Sequence, residues 1–140
     1  MAPGSDQPYT SGSFRVHLGP GIGDAIGFSA VEFPDFVTAD KDAAHGDVSA
    51  AARRTTLLLR RGFDGRLAIY DWWNASRAST AQSPRTVTIE LLGDNGERPV
   101  VGWTFTGCRP VRLSYSPLDA LASAVLMETL EVSFVEMSMA

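Results

Sequence analysis

The chain has 140 residues and a mass of 15.0 kDa, with 44% hydrophobic and 20% charged residues, which is the size and composition of one folded domain. A net charge of −4 and a pI near 5.0 disfavour nucleic-acid binding, because attraction to phosphates dominates binding of that kind. The single cysteine, Cys108, excludes an intramolecular disulfide. No apolar run approaches the roughly 20 residues of a membrane-spanning helix, so we expect no membrane anchor.

The amino-terminal stretch, residues 1–13, is rich in Pro, Gly and Ser and has no hydrophobic periodicity. It also lacks the basic cluster and the apolar run of a secretory signal, so we expect the protein to fold and assemble in the cytoplasm. The predicted organisation is a flexible tail over residues 1–13 and a single domain over residues 14–140.

The domain is predicted to open with two strands. Between positions 14 and 18, Phe, Val and Leu alternate with Arg and His, which is typical of a half-buried strand. Residues 19–24 are rich in glycine and predict a loop, and residues 26–33 resume a strand-like pattern. Residues 39–54 are polar and rich in alanine without clear periodicity, so we expect a long projecting loop or hairpin there.

One amphipathic helix is predicted after a third strand. The strand covers residues 55–63, and its leucine run is followed by Arg60 and Arg61, a basic pair that fits either phosphates or the acidic groups of a neighbouring subunit. Asp64 is predicted to be the helix N-cap, and the helix is expected to end near Arg77. Its buried stripe is predicted to consist of Leu67, Tyr70 and Trp73, widened by Ile69 and Trp72.

The second half of the chain predicts antiparallel strands joined by short turns. Residues 86–92 and 101–105 alternate on either side of Asn95 and Gly96, a pair that favours a tight hairpin turn. Residues 108–110 interrupt the pattern, 111–115 restart it, and 129–134 alternate again in a closing strand. The predicted fold class is mainly β, an antiparallel β-barrel of six to eight strands flanked by one α-helix.

No cluster in the sequence carries recognisable catalytic or cofactor chemistry. Gly21 and Gly23 could begin a dinucleotide-binding loop, but the third glycine position falls on Ile26 and a strand follows instead of a helix. The two histidines, His17 and His45, have no ligand set at metal spacing. We therefore expect no catalytic residue, no cofactor and no metal, and a structural protein rather than an enzyme.

Several short blocks follow one another along the chain in a fixed order. They are Phe14–Val16, Gly27–Val31, Leu57–Phe63, Tyr70–Asn74, Thr86–Leu92, Asp94–Gly96, Trp103–Thr106, Pro110–Val111 and Met127–Val132. Together they resemble the phage tail tube protein family, which contractile-tailed phages share with contractile injection systems. The resemblance implies a β-barrel flanked by a helix, assembled as a homo-hexamer whose rings stack into a hollow tube.

The resemblance also implies partners and a location. A contractile sheath protein would surround the tube, baseplate or tube-initiator proteins would start it, and cargo DNA or protein would pass through its lumen. The chain would then be a component of a virion tail or of an injection-system particle that can be released.

Two sets of site residues follow from this interpretation. Contacts between subunits and rings are expected at Val37, Asp40, Asp42, Asp47, Arg53, Arg54 and Trp72. The polar faces of strands are expected to line the lumen with Thr88, Glu90, Thr129 and Glu131, an acidic lining that repels DNA and favours sliding. Residues 33–54 depart from the glycine-rich, charged hairpin of the family, which bears on the mode of stacking.

Three interpretations remain open on the sequence alone. The chain is either the repeating tube subunit, which is slightly favoured, or a tube-initiating ring subunit at the baseplate. An interpretation of another class is a monomeric small-ligand-binding β-barrel or an unrecognised enzyme. Assembly into rings distinguishes the first two from the third.

Overall fold

The computed structural model describes residues 7–20, 22, 26–38, 55–79, 82–93 and 96–140. Within these ranges, seven strands, all paired in antiparallel fashion, and one helix follow one another. They are β1 (Phe14–His17), β2 (Ala30–Glu32), β3 (Leu57–Gly62), α1 (Ala68–Ala78), β4 (Arg85–Leu92), β5 (Pro99–Tyr115), β6 (Met127–Ser133) and β7 (Glu136–Met139). The predicted mainly antiparallel β fold with one helix is confirmed. No helix in the described ranges is long and apolar enough to cross a membrane.

Strand β5 organises the fold because it belongs to two sheets. Its first part pairs with β4 and β7, and its last part pairs with β6. We call β1-β4-β5-β7 the front sheet and β5-β6-β3-β2 the back sheet. The strand order of the described residues ends at β1 and β2, which do not pair with each other. The sheet is therefore folded over but not closed, and in this respect it differs from the predicted barrel.

A glycine marks the place where β5 passes from one sheet to the other. Gly107 has a φ of +67°, and a Cβ built on it would lie 2.6 Å from Cγ2 of Val135. The backbone N–H of Val135 donates to the carbonyl of Thr106 at 2.8 Å. A positive φ and a close approach of a neighbouring side chain both require glycine, so this position fixes the corner of the fold.

Proline does not interrupt β5, contrary to the prediction. The strand has 17 residues and runs without a break through Pro110, which pairs with Val132 of β6. The pairing register shifts by one residue between Pro110 and Arg112. A bulge of this kind accommodates a residue that has no N–H, so two predicted strands are one.

The core lies between the two sheets. Fully buried side chains come from all the long strands, among them Leu57, Leu59, Val87, Ile89, Phe105, Leu130 and Val132. Helix α1 adds Ile69 and Trp72, which are 1% and 3% exposed. Because these residues alternate along their strands with polar ones, each sheet has one core side and one polar side.

Only part of the predicted stripe faces the core, because Ile69, Trp72 and Trp73 pack there and Leu67 and Tyr70 do not. Leu67 and Tyr70 are 56% and 37% exposed, whereas Ile69 and Trp72 are buried. Asp64 does not cap the helix either, since its carboxylate accepts a hydrogen bond from the backbone N–H of Arg66 and the N-cap position is Leu67. Both apolar sets recur every three residues, so the contact with β5, and not the spacing, selects the buried one.

Candidate assembly surfaces

The front sheet exposes a polar surface on the side away from the core. Directly paired residues of neighbouring strands point to the same side of a sheet, so the pairing of His17 with Thr88 and of Thr88 with Thr104 continues one row across three strands. We call this surface the front face. It comprises Arg15, His17, Thr88, Glu90, Thr104, Thr106, Glu136 and Ser138, all half-buried or exposed.

The front face carries two carboxylates, one arginine and one histidine. Glu90 Oε1 lies 2.7 Å from Nε2 of His17 on the neighbouring strand. Arg15 and Glu136 are the other ionisable residues of this surface, at its opposite edges. The sequence predicts an acidic lining, whereas the structure places His17 and Arg15 beside Glu90.

The back sheet has a polar surface of its own. Glu131 accepts a hydrogen bond from Oγ1 of Thr56 at 2.8 Å, and it is paired with Arg112 across the ladder. Thr129 is paired with Arg60, which forms an ion pair with Glu32 at 3.2 Å. Because the core separates the two sheets, this surface faces away from the front face.

The four predicted lumen residues therefore fall on two surfaces. Thr88 and Glu90 belong to the front face, whereas Thr129 and Glu131 belong to the polar surface of the back sheet. Alternation along a strand predicts which side chains share a side of one sheet, but it does not show which sheets share a surface.

A buried ion pair joins β3 to β6 on the core side of the back sheet. Arg61 Nε lies 2.7 Å from Oε1 of Glu128, and their side chains are 2% and 1% exposed. The guanidinium also donates to Asp64 Oδ1 at 3.2 Å and to the carbonyl of Arg66 at 2.8 Å. The sequence interpretation of Arg60 and Arg61 as an outward basic pair is wrong for Arg61, because it alternates in phase with Leu57 and Leu59.

Tyr115 completes this ionic cluster. Its hydroxyl donates to the second carboxylate oxygen of Glu128 at 2.6 Å. Burial, followed by the hydrogen bond to Glu128 and the charge of that carboxylate, raises the pKa of Tyr115 to about 12. The pKa of Asp64 is lowered, first by the hydrogen bond from the backbone N–H of Arg66 and also by the charges of Arg61 and Arg66.

The connection between β5 and β6 exposes apolar side chains. We call residues 117–125 the apolar connector, in which Leu118, Leu121 and Val125 are 87%, 98% and 67% exposed. Asp119 stabilises its turn by accepting from the N–H of Leu121 at 3.0 Å. Exposed apolar side chains on an ordered segment are typical of a contact surface. The sequence predicted only a connector here, since exposure is not visible in a composition of Ala, Leu and Ser.

A cleft of about 400 Å³ lies at the open seam of the fold, between the terminal strands β1 and β2. We call it the seam cleft. Its front wall consists of Phe14, Ile89, Leu91 and Trp103, its other wall includes Val31 and Phe33, and residues 9–11 of the amino-terminal segment also line it. The rings of Phe33 and Trp103 lie 5.0 Å apart between their centroids. The cleft is thus a largely apolar gap in the side of the subunit where the sheet does not close.

Of the residues predicted to contact other subunits, the structure describes Val37 and Trp72. Val37 is 58% exposed and follows Phe36, whose ring lies 6.2 Å from that of Phe105. Trp72 is 3% exposed and has Arg85 Cζ 5.8 Å from its ring, so it belongs to the core of the subunit and offers almost no surface to another. The remaining candidates, Asp40, Asp42, Asp47, Arg53 and Arg54, lie outside the described residues.

The one cysteine is enclosed in the core. Cys108 is 0% exposed, its thiol donates to the carbonyl of Phe105 at 3.2 Å, and burial raises its pKa to about 11. A thiol in this state is inert towards electrophiles. Among the residues placed by the structure, no three of His, Cys, Asp and Glu are grouped to hold a metal ion.

Comparison with known proteins places the chain among tube proteins. Residues 12–138 match the family model described as T4-like virus tail tube protein gp19. No curated protein sequence matches the chain. A similar fold occurs in the PVC sheath-tube complex of an extracellular contractile injection system in the extended state, with 19% identity, coverage of 96% of this chain and 93% of that one, and a TM-score of 0.73.

Two further solved structures share the fold. The tube-terminating cap of the anti-feeding prophage is 18% identical, with coverage of 100% of this chain and 95% of the other and a TM-score of 0.74. Hcp1 from Flavobacterium johnsoniae is 11% identical, with coverage of 91% and 94% and a TM-score of 0.60. At these identities the likeness concerns the fold.

Proposed function

This chain belongs to the family of the T4-like virus tail tube protein gp19, and we propose that its copies close into six-membered rings that stack into a hollow conduit. The chain is a structural tube subunit of a contractile phage tail or contractile injection system, and not an enzyme. The observation that carries the ring proposal is that, among the described strands, the front sheet ends in β1 at one side and in β7 at the other.

Strand direction allows the front sheet to continue from copy to copy. Strands β4 and β7 run in one direction, and β1 and β5 run in the other. When β7 of one subunit lies beside β1 of the next, the strands stay antiparallel while both subunits keep the same orientation. Such a head-to-tail contact generates a ring when the rotation closes, and closure covers the edges of the sheet.

The hydrogen-bonding pattern of β7 supports this contact. Gly102 and Ala140 exchange both backbone hydrogen bonds, at 2.8 and 3.0 Å. Because such pairs alternate along an antiparallel ladder, the N–H and C=O groups of Met137 and Met139 point away from β5. They are thereby oriented to pair with an adjacent strand.

The front face is the proposed lining of the lumen. The core side of the front sheet is covered by the back sheet and α1, so the polar side is the one that can face water in a bore. Thr88 and Glu90 keep their proposed place in the lumen, together with Thr104, Thr106 and Ser138. Thr129 and Glu131, on the back sheet, would then face outward.

The outward surface of the back sheet is the proposed contact for a sheath protein. The solved structures of similar fold come from a sheath-tube complex, a baseplate and a tube-terminating cap, and we propose corresponding partners for this chain. The cargo, DNA or protein, would pass along the front face, and rings would assemble in the cytoplasm before incorporation into the particle. The repeating tube subunit is the favoured form over a tube-initiating ring.

Electron microscopy of the purified chain tests the proposal. Wild-type protein in negative stain should show six-membered rings or tubes. The Met137→Pro variant removes one N–H that points away from β5 and should leave folded subunits that do not assemble. Met137→Leu is the matched control, because it keeps both the N–H and an apolar side chain. A wild-type protein that stays monomeric at high concentration would contradict the proposal and favour the small-ligand barrel.

A further inference from the structure

We propose that the side chain of Met139 of one subunit inserts into the seam cleft of the next subunit in the ring. The inference rests on the proposed continuation of the front sheet from β7 to β1. It adds a specific apolar contact on the core side of that sheet, which strand pairing alone does not require.

Met139 is an apolar side chain on the core side of an edge strand. It is paired with Trp103, which is paired with the buried Ile89, and Ile89 is paired with Val16 of β1. These four residues form one row across the front sheet and point to its core side. Nevertheless, Met139 is 58% exposed, whereas Val16 at the other end of the row is 7% exposed.

The row of Met139 ends at the β7 edge of one subunit, and in the proposed ring it would continue at β1 of the next subunit. The seam cleft of that next subunit lies beside β1. Its front wall includes Phe14 and Leu91, which are paired with each other in the row adjacent to Val16 and Ile89. When β7 of one copy lies beside β1 of the next, the core sides of the two strands coincide. Met139 then points to the same side of the sheet as the cleft, at its β1 border.

The chemistry of the two surfaces is complementary. The cleft has about 400 Å³ of space between Phe14, Leu91, Val31 and the rings of Phe33 and Trp103. Methionine is unbranched and flexible, so it fills irregular gaps, and its sulfur makes favourable contacts with aromatic rings. Because Met139 lies at one border of the subunit and the seam cleft at the opposite border, the contact between them would repeat in one direction around a ring.

Sedimentation velocity on two variants of the exposed side chain tests the contact. Met139→Asp brings a charge to an apolar gap and should raise the concentration needed for half-assembly at least roughly tenfold, while Met139→Leu should assemble like the wild type. Because Met139 is 58% exposed, both variants should keep the circular dichroism spectrum of the wild-type subunit. Unchanged assembly of Met139→Asp would overturn the inference.

Cysteine cross-linking tests the location directly. A chain carrying Met139→Cys and Leu91→Cys, treated with a short bismaleimide, should give a ladder of covalent oligomers on a denaturing gel. The control pair, Ser138→Cys with Leu91→Cys, places the thiol on the opposite side of β7 and should give no ladder. Native Cys108 is buried and adds little background, and each single-cysteine variant measures that background.

The outcomes separate this inference from the function on which it rests. A wild-type protein that forms no rings would overturn both. Rings that form normally, with no ladder from the Met139 pair or with an equal ladder from the Ser138 pair, would overturn the Met139 contact alone. A ladder specific to the Met139 pair, together with the assembly defect of Met139→Asp, would establish it.

Discussion

Arg61 and Glu128 form an ion pair of 2.7 Å inside the back sheet, with no more than 2% of either side chain exposed. The two residues are 67 positions apart in the sequence and adjacent in the ladder between β3 and β6. Buried charges of this kind are tolerated only when every polar atom has a partner. Here Asp64, the carbonyl of Arg66 and the hydroxyl of Tyr115 complete the set.

Removing one member of this pair should destabilise the subunit strongly. Glu128→Ala leaves the Arg61 guanidinium buried without its main counter-charge, so the free energy of unfolding should fall by about 3–5 kcal/mol. Urea denaturation of subunits held below their assembly concentration measures the change, since assembly would add to apparent stability. Arg60→Met is the matched control: its ion pair with Glu32 is 45% and 46% exposed, and its loss should cost less than about 1 kcal/mol. Equal losses in the two variants would contradict the role assigned to burial.

Alanine at the corner of β5 should be costly. Gly107→Ala imposes a side chain on a φ of +67° and brings its Cβ to 2.6 Å from Val135, so a loss of about 1–3 kcal/mol is expected in the same denaturation assay. Gly102→Ala is the control in the same strand, because its Cβ would meet nothing closer than 3.8 Å. Adding Val135→Ala should relieve the collision but not the backbone strain, and should therefore restore only part of the loss. A tolerant Gly107 would count against the corner geometry.

Stability should fall at alkaline pH through Tyr115. Its pKa is raised from 10.0 to about 12 in the folded subunit, so the folded state binds the phenolic proton more tightly than the unfolded state does. The resulting stabilisation is complete below about pH 10 and is lost as the pH rises towards about 12. Urea midpoints measured across this window should decline less steeply for Tyr115→Phe than for the wild type. Parallel declines of the two proteins would mean that this hydroxyl does not contribute.

Reversal of charge should act differently on the two polar surfaces. Glu90→Lys places lysines on the proposed lumen lining, whereas Glu131→Lys places them on the back sheet. Tubes of the first variant should hold added single-stranded DNA in a form protected from nuclease, because the wall then attracts phosphates. Tubes of the second variant should bind DNA that the nuclease still digests. Protection by Glu131→Lys, or by neither variant, would contradict the assignment of the front face to the lumen.

Alternation of apolar and polar residues was sufficient to predict most of the strands. It located β1, β4 and β6, and β4 pairs with β5 as the predicted hairpin requires, although Asn95 of the predicted turn lies outside the described residues. Arg61 is in phase with Leu59, so alternation alone predicts a place on the core side, whereas the general preference of arginine for water predicts the opposite. Its partner Glu128 is remote in sequence, so no local sequence pattern predicts the ion pair between Arg61 and Glu128.

Other features depend on contacts that the sequence does not express. The helix offered two apolar sets with the same spacing, and only packing against β5 distinguished Trp72, which is buried, from Tyr70, which is exposed. The separation of Glu90 and Glu131 onto two surfaces arises from the strand order, because β5 joins two sheets. The seam cleft and the exposed Met139 arise from edges that are defined only once the strands are paired.

The continuity of β5 has a mechanical consequence. One backbone of 17 residues belongs first to the front sheet and then to the back sheet, so the two layers of each subunit share a covalent link. A force applied to one layer would reach the other along this strand without crossing a side-chain contact. Sliding of one layer past the other would require breaking ladder hydrogen bonds along β5, which makes each subunit stiff in shear.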